Sequence, residues 1–596
     1  MTRFLTALVV ATAAFLSAAA QPAIMYHVGW EAPEDHYFDV SMEIGGLTEP
    51  TIEVRMPAWR PGRYIIQNYV RYVIAFAAST PDGERLPFEK VDKDTWRVAT
   101  LGNERIVVSY RNYANVLDGG ESFLGESEAY LNPVSVLMNV PGRMTEPVGL
   151  TLQRPEGWRI ATALDYDEAV GAFLATDYHE LVDTPFLVSP DFDLISFEEG
   201  GATIEIAVQG DWEYDEDRLV ADHRAIVSAQ ANIMQTVPFK RYLFMYHVLD
   251  HPIGHGVEHK NSTSIVLGPA SAMTMPASGE YATGMYRAFL GVASHELFHA
   301  WNVERIRPEV MYPTDYSSEQ YTTQMWIFEG ITDYYADVAL HRAGLTTEEA
   351  FLNGLAGTIR SFDQSPGRKI TSIAMSSFDS WTKQDDAPPN TFYSFYTAGK
   401  AMGLVLDMEV RGRTGGEKSL DDVFRFIYSE YPMKDRGLPE EGFQEALEAV
   451  TGSSFEEFFD RHIYGTEDVD WNVYLSRAGL SLIERIDTDP ASWLRVFLGG
   501  MTIVGVHPNG LAASAGLEAG DEFKIVGGQN VTGDESLLAA FAQFAPGDVA
   551  DVVVIRDGEE HVVELEVGTP PVEFVMVVSE DSSAEQSTIR RSWLGQ

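Results

Sequence analysis

The sequence predicts a multidomain α+β chain: a β-sandwich-like N-terminal domain, an α-rich central domain and a C-terminal domain of short strands. Three observations predict it. Apolar residues alternate through most of residues 21–190, the period of half-buried strands. From about residue 200 the spacing changes to the three-and-four pattern of helices, and after about residue 478 short apolar runs broken by Gly, Pro and Asp return. With 596 residues, 45% of them apolar, the chain can build several cores, so three domains are expected rather than one.

The first element is a leader. Met1-Thr2-Arg3 precedes an apolar run from Phe4 to Leu16 and the small residues Ala18-Ala19-Ala20, which reads as a signal peptide over residues 1–20, cut after Ala20. That run is short for a bilayer span, and no later segment reaches the roughly 18 apolar residues a span needs. A soluble mature protein without a stable membrane anchor is therefore expected. There is no cysteine, which excludes disulfides, a thiol nucleophile and thiolate metal ligands. Export without disulfides suits a bacterial periplasm. The formal net charge of −47 argues against nucleic acid or anionic membranes as partners, since both would be repelled.

Within residues 21–190, the stretches Tyr37–Ile44, Thr51–Met56 and Arg105–Tyr110 alternate, and Gly45-Gly46, Pro61-Gly62 and Pro81-Asp82-Gly83 supply turns. The central domain, residues 191–477, opens with a strand over Ala202–Val208, a helix over Asp215–Gln235 and a strand from Tyr242 to Leu249. Helical spacing then covers Tyr281–Asn302, Thr322–Ala343, Thr347–Phe362 and Gly399–Arg411, with shorter stretches at Leu420–Glu430 and Glu441–Val450. In residues 478–568, Ser514-Ala515-Gly516-Leu517-Glu518-Ala519-Gly520-Asp521 sits between apolar strands, and Ala545-Pro546-Gly547-Asp548 precedes a second set. That order resembles a PDZ domain. Residues 569–596 are polar without a period and read as a tail.

The chemistry is concentrated in His295-Glu296-Leu297-Phe298-His299, an HExxH motif. On a helix, histidines four apart share one face and can close on one ion, while Glu296 is turned about 100° away. Catalytic zinc generally takes three protein ligands. The third candidate is Glu329, because it lies inside the apolar-aromatic run Trp326–Tyr335, where a lone charge is costly to bury without a partner. Asp333, four residues on, shares its face and can orient one of the two imidazoles. Such a site, with one Zn2+ and Glu296 as general base, suits amide hydrolysis by metal-activated water. His251, His255 and His259 lie in a Gly/Pro-containing loop with no matching carboxylates, so a single ion is expected.

Several segments in order then carry a resemblance. Met56-Pro57-Ala58-Trp59-Arg60-Pro61-Gly62-Arg63-Tyr64, Gly256-Val257-Glu258-His259-Lys260-Asn261-Ser262, His295–Pro308, Glu329–Tyr335 and the PDZ-like part are together similar to the glycyl aminopeptidase family of PDZ-containing metallopeptidases, within the gluzincin group. The resemblance implies a thermolysin-like catalytic domain behind the β domain, with zinc on His295, His299 and Glu329. It implies that Glu258 holds the substrate α-amine, in a stretch similar to G-x-M-E-N with His259 where relatives have Asn. It also implies an oxyanion donor at Tyr396, in Tyr396-Thr397-Ala398-Gly399, similar to Y-x-K-G with Ala398 replacing the lysine; Tyr393 is the alternative. The implied activity is removal of small N-terminal residues, Gly or Ala, from peptides. Two other readings stay open: an endopeptidase whose PDZ-like part captures C-terminal peptides around Phe497-Leu498-Gly499-Gly500, and a non-catalytic exported PDZ adaptor.

Overall fold

The structure is a computed structural model that describes residues 21–277, 279–383, 387, 391–486, 490–506, 510–569 and 572–596; the predicted leader lies outside them. Two compact units divide it, one running through Thr347 with Pro366–Asp468 and Leu594–Gln596, the other comprising Glu348–Ser365 and Val469–Trp593.

The N-terminal part of the first unit is β-rich. Alternation builds it: along Tyr37–Gly45, Phe38, Val40, Met42 and Ile44 turn inward, and in the antiparallel partner Arg105–Tyr113 the opposing Ile106, Val108 and Tyr110 do the same. A one-residue slip would turn every one of them to water, so the pattern fixes the register. These strands belong to a seven-stranded sheet, beside sheets of four and three strands. All three contribute to one core, with Val54, Trp96 and Val98 from the smallest and Leu131, Phe186 and Val188 from the four-stranded sheet. The expected β-rich domain is present, but as three sheets around one core rather than the two of a sandwich.

The central part opens with a five-stranded sheet in the order Asp193–Glu199, Ala202–Gly210, Arg241–Val248, Ser262–Gly268, Ile253–His259. The last is an edge strand, antiparallel to its neighbour. It contains His255 and His259, so the segment read as a loop from its glycines is a strand. The first long helix runs Glu216–Met234, with Asp215 as its cap, accepting from the Arg218 N–H at 3.0 Å. The helix predicted over Tyr281–Asn302 is shorter, Gly284–Phe298, and His299 is its C-cap. The stretch Thr322–Ala343 is not one regular helix: a π turn, Trp326–Gly330, precedes the helix Ile331–Arg342. Helix Phe395–Arg413 starts four residues before the predicted Gly399, because Ser394 caps it and accepts from the Tyr396 N–H at 3.2 Å.

In the second unit, strands Val496–Gly499, Thr502–Val506, Glu522–Val526, Val549–Arg556 and Glu559–Glu566 are neighbours in that order, and Gln529–Asn530 pairs with the third. Helices Leu511–Ala515 and Asp534–Phe541 contribute Ala512, Leu537 and Phe541 to the core of this unit. Residues 569–596 are not a featureless tail. Val572–Val578 pairs antiparallel with Leu480–Ile486, and Ala584–Leu594 is a helix whose Trp593 packs on Phe351, ring centroids 5.2 Å apart. Phe351 sits on helix Glu348–Gln364, which therefore belongs to this unit and not to the 191–477 domain. Among the described residues, no helix is long and apolar enough to cross a membrane.

Candidate metal centre and active site

Helix Gly284–Phe298 and its cap present His295, Glu296 and His299. The His295 Nδ1 lies 2.8 Å from Asp333 Oδ1, and the His299 Nδ1 lies 2.6 Å from the Asn302 carbonyl. A carbonyl can only accept, so His299 carries a proton on Nδ1, and the Asp333 carboxylate imposes the same on His295. Both Nε2 atoms then face inward, 2.9 Å apart, with Glu329 Oε2 at 3.8 Å from His295 and 3.4 Å from His299. Ligand atoms around a tetrahedral zinc at ordinary bond lengths sit about 3.3–3.6 Å from one another. At these distances no water can stand between the three atoms, and His299 and Glu329 are 1% and 2% exposed.

Three electron-pair donors crowded together repel unless a positive charge lies between them. In the absence of a metal that charge is a proton. Burial pulls His299 down, but the Glu329 carboxylate more than offsets it and leaves the imidazole at about 9. Burial likewise opposes the charge of His295, and Asp333 and Glu329 hold it well above the ordinary range. Glu329, though burial would raise it, is held below the usual carboxylate range by His299 and His295. The donor set therefore fits a single divalent cation.

Tyr64 completes the Glu329 site. Its hydroxyl donates to Oε1 at 2.9 Å, leaving Oε2 for the histidines, and its ring is buried. This residue comes from the N-terminal domain and was not picked out by sequence reasoning, although it ends the Met56–Tyr64 motif. Asp333, paired with His295, also feels Lys400. Burial would raise this carboxyl, but His295 and the Lys400 ammonium hold it low. Lys400 itself bonds Asp337 at 2.7 Å and lines the same cavity.

Glu296 is buried beneath the edge strand. Gly256 crosses directly over it, since a Cβ there would lie 2.2 Å from Glu296 Oε1. Burial first, and the neighbouring Glu258 and Glu329 carboxylates next, push Glu296 up against the pull of the histidines, to about 7. Two residues along the strand, and so on the same face, Glu258 places an oxygen within 4.8 Å of one from Glu296 and a nitrogen of His299. Gly62, at φ +79°, presses against it: a Cβ at Gly62 would lie 2.5 Å from Glu258 Oε2.

Tyr396 lies on the other wall, its ring nearly parallel to that of His295 with centroids 6.3 Å apart. Backbone crossing puts it there, because Gly330 of the π turn meets Gly399, and a Cβ on Gly330 would stand 2.4 Å from the Gly399 Cα. Tyr396, His295, Glu296, His299, Glu329 and Glu258 all line one cleft of about 700 Å³. Tyr393 is not among its walls; it is buried nearby, and its carbonyl accepts from Ser376 Oγ at 2.7 Å. Of the other histidines, His255 bonds the Asp118 carbonyl at 2.6 Å, His259 faces Asp183 at 3.2 Å and His251 is exposed beside Asp250.

With this geometry in hand, the comparisons are specific. Residues 25–190 match the Peptidase M61 N-terminal domain, and residues 288–402 match the M61 glycyl aminopeptidase family. The crystal structure of an aminopeptidase N family protein from Idiomarina loihiensis is similar at 26% identity, over 96% of this chain and 100% of that one, with a TM-score of 0.80. An M1 zinc metallopeptidase from Deinococcus radiodurans, a mutant bound to Tyr-Ser-Ala, is 13% identical over 75% of this chain and 95% of its own, at a TM-score of 0.45; a likeness that distant decides nothing about function. No curated protein matches the sequence. His295, Glu296, His299, Glu329, Asp333 and Tyr396 all fall within the second matched segment and Tyr64 within the first. The chain thus carries an M61 N-terminal domain, which supplies Tyr64, and an M61 glycyl aminopeptidase domain, which supplies the ligand histidines, Glu296, Glu329, Asp333 and Tyr396.

Proposed function

We propose that the chain is an exported zinc aminopeptidase that removes single residues from the N-termini of peptides. One observation carries this reading: three electron-pair donors, His295 Nε2, His299 Nε2 and Glu329 Oε2, converge beside the two buried carboxylates of Glu296 and Glu258.

Zinc held by those three atoms would lower the pKa of a water towards 7 and polarise the scissile carbonyl. Glu296 takes one proton as the water oxygen bonds to the carbonyl carbon and gives it to the amide nitrogen as the C–N bond breaks; the second water proton then passes to the amine, leaving a carboxylate and an ammonium. Tyr396 donates its O–H to the oxygen that gains charge. Glu258 accepts from the substrate ammonium and so sets where the chain must begin. Tyr64 and Asp333 hold Glu329 and His295 in place. Extended substrate suits the open side of the edge strand, whose backbone groups can pair with a peptide.

Substrates with free and N-acetylated ends test the reading. A dipeptide amide should be cleaved and its acetylated form spared, and Glu296→Gln should abolish the cleavage. Equal turnover of the blocked form would favour an endopeptidase, and full activity in Glu296→Gln would leave only an adaptor role. Export rests on the Met1–Ala20 pattern, and a periplasmic location on the absence of cysteine. A PDZ-like role for the second unit, binding C-terminal peptides near Phe497–Gly500, is supported by its strand order and by the exposed Phe497. The preference for Gly or Ala rests on the family resemblance.

A further inference from the structure

Asn302, just past the HExxH helix, touches both segments that supply metal ligands. Its carbonyl accepts from the His299 Nδ1 at 2.6 Å. Its side chain reaches into the segment that carries Glu329: Nδ2 donates to the Ile327 carbonyl at 2.9 Å and to Thr332 Oγ1 at 3.0 Å, with the Phe328 carbonyl at 3.4 Å. The two hydrogens of the amide are thereby used. The Thr332 hydroxyl, having accepted from Asn302, donates in turn to the Phe328 carbonyl at 2.7 Å. Asn302 thus holds one ligand through its backbone and braces another through its amide. The brace meets the π turn Trp326–Gly330, where the Ile331 N–H reaches back to the Trp326 carbonyl. Such a turn breaks the regular helical ladder, and carbonyls within it can take donors from outside the helix.

Two local features are unfavourable in themselves. Asn302 and Thr332 are fully buried, yet the Asn302 Oδ1 finds no hydrogen-bond partner among the described residues. A side chain kept there for packing alone would be apolar, because burying an amide oxygen without a donor is destabilising. The next residue, Val303, stands at φ +154°, a backbone setting that a β-branched residue rarely adopts. An orphaned oxygen and a strained backbone in succession, three residues from a metal ligand, break local rules where function overrides them. What they secure is an amide whose N–H groups face Ile327 and Thr332.

The crowding of the site gives that brace a purpose. His299 Nε2 and Glu329 Oε2 lie 3.4 Å apart and come from different segments. Without a cation their electron pairs repel, so a free π turn would drift and carry Glu329 away. We propose that Asn302 is a positioning residue that fixes the spacing of His299 and Glu329, so that the site is set before the ion arrives. This role rests on the reading of those two residues as zinc ligands.

Chelator competition on the purified full chain tests it. Asn302→Asp keeps the size and the backbone carbonyl but turns the donor into an oxygen that faces other acceptors. Its zinc affinity should fall by about 10–100-fold, with activity restored by excess zinc. Thr332→Val keeps the shape and loses the hydroxyl alone, so affinity should fall a few-fold; this variant decides where Asn302→Asp does not fold. Val108→Ala, in the buried core of the N-terminal domain, should melt earlier than wild type yet hold zinc within about twofold. Unchanged affinity in Asn302→Asp, or in Thr332→Val where the Asp variant does not fold, would overturn the proposal. An equal loss in Val108→Ala would overturn it too, by making the effect one of general stability. Wild type keeps the two ideas apart. If it binds no zinc, the ligand reading itself fails; if it binds one equivalent and the brace variants bind as tightly, only the Asn302 assignment fails.

Discussion

The HExxH helix and the Trp59–Tyr64 loop both reach Glu329, by different routes. His295 and His299 are four residues apart on one helix, so elementary geometry already aligns them. Tyr64 stands 265 residues from Glu329 and meets it only because two domains fold together. The helix supplies atoms that bind the ion; the loop supplies what orients them, through Tyr64, and what shapes the amine end, through Gly62 and Arg60. Ligand choice is thus local, and ligand orientation and substrate enclosure are long-range. Damage to each should be separable.

The sharpest break lies on the ligand side. Glu329→Gln should purify without stoichiometric zinc and without peptidase activity, as read by metal analysis; a zinc-replete, active variant would refute the assigned third ligand. Tyr396→Phe should keep its zinc yet lose about 10²–10³-fold in kcat, the scale for one oxyanion donor. Proton competition comes next. Since Glu329 outweighs burial to hold His299 at about 9, that imidazole must shed a proton to bind metal. Zinc affinity should therefore fall as pH drops below 9, by about 100-fold at pH 7 from the His299 proton alone. Chelator competition at several pH values measures it, and a flat profile would contradict the crowded-donor account.

On the loop side the effects are smaller. Tyr64→Phe should weaken zinc binding by about 10–100-fold with unchanged circular dichroism, and excess zinc should restore activity. Unchanged affinity would reduce Tyr64 to packing. Gly62→Ala should strain a left-handed residue by about 1 kcal/mol and push on Glu258, raising KM a few-fold with little change in kcat or zinc content. A drop in zinc there would blur the division between the two regions.

What was legible follows the same division. His295, Glu296 and His299 are written in spacing, Glu329 in its placement amid Trp326, Ile327 and Phe328, and Asp333 in its four-residue offset. Spacing alone lets Asp333 serve either imidazole, and the structure pairs it with His295. Tyr64 had no local signal beyond its motif, because nothing in a helical or strand period links residues 64 and 329. The π turn at Trp326–Gly330 was invisible to a 3.6-residue period, which read one helix through Thr322–Ala343. Gly254 and Gly256 disguised the edge strand as a loop, yet Gly256 is there to clear Glu296. Val572–Val578 was read as tail because its seven residues pair with a strand about ninety positions earlier, which no window spans.

Anomalous diffraction at the zinc edge, on crystals of the purified chain, tests the central claim most directly. One peak should lie about 2.0–2.2 Å from His295 Nε2, His299 Nε2 and Glu329 Oε2 together. A peak held instead by Glu258, Glu296 and His299, the other converging group among the described residues, or one beyond bonding distance of Glu329, would contradict it.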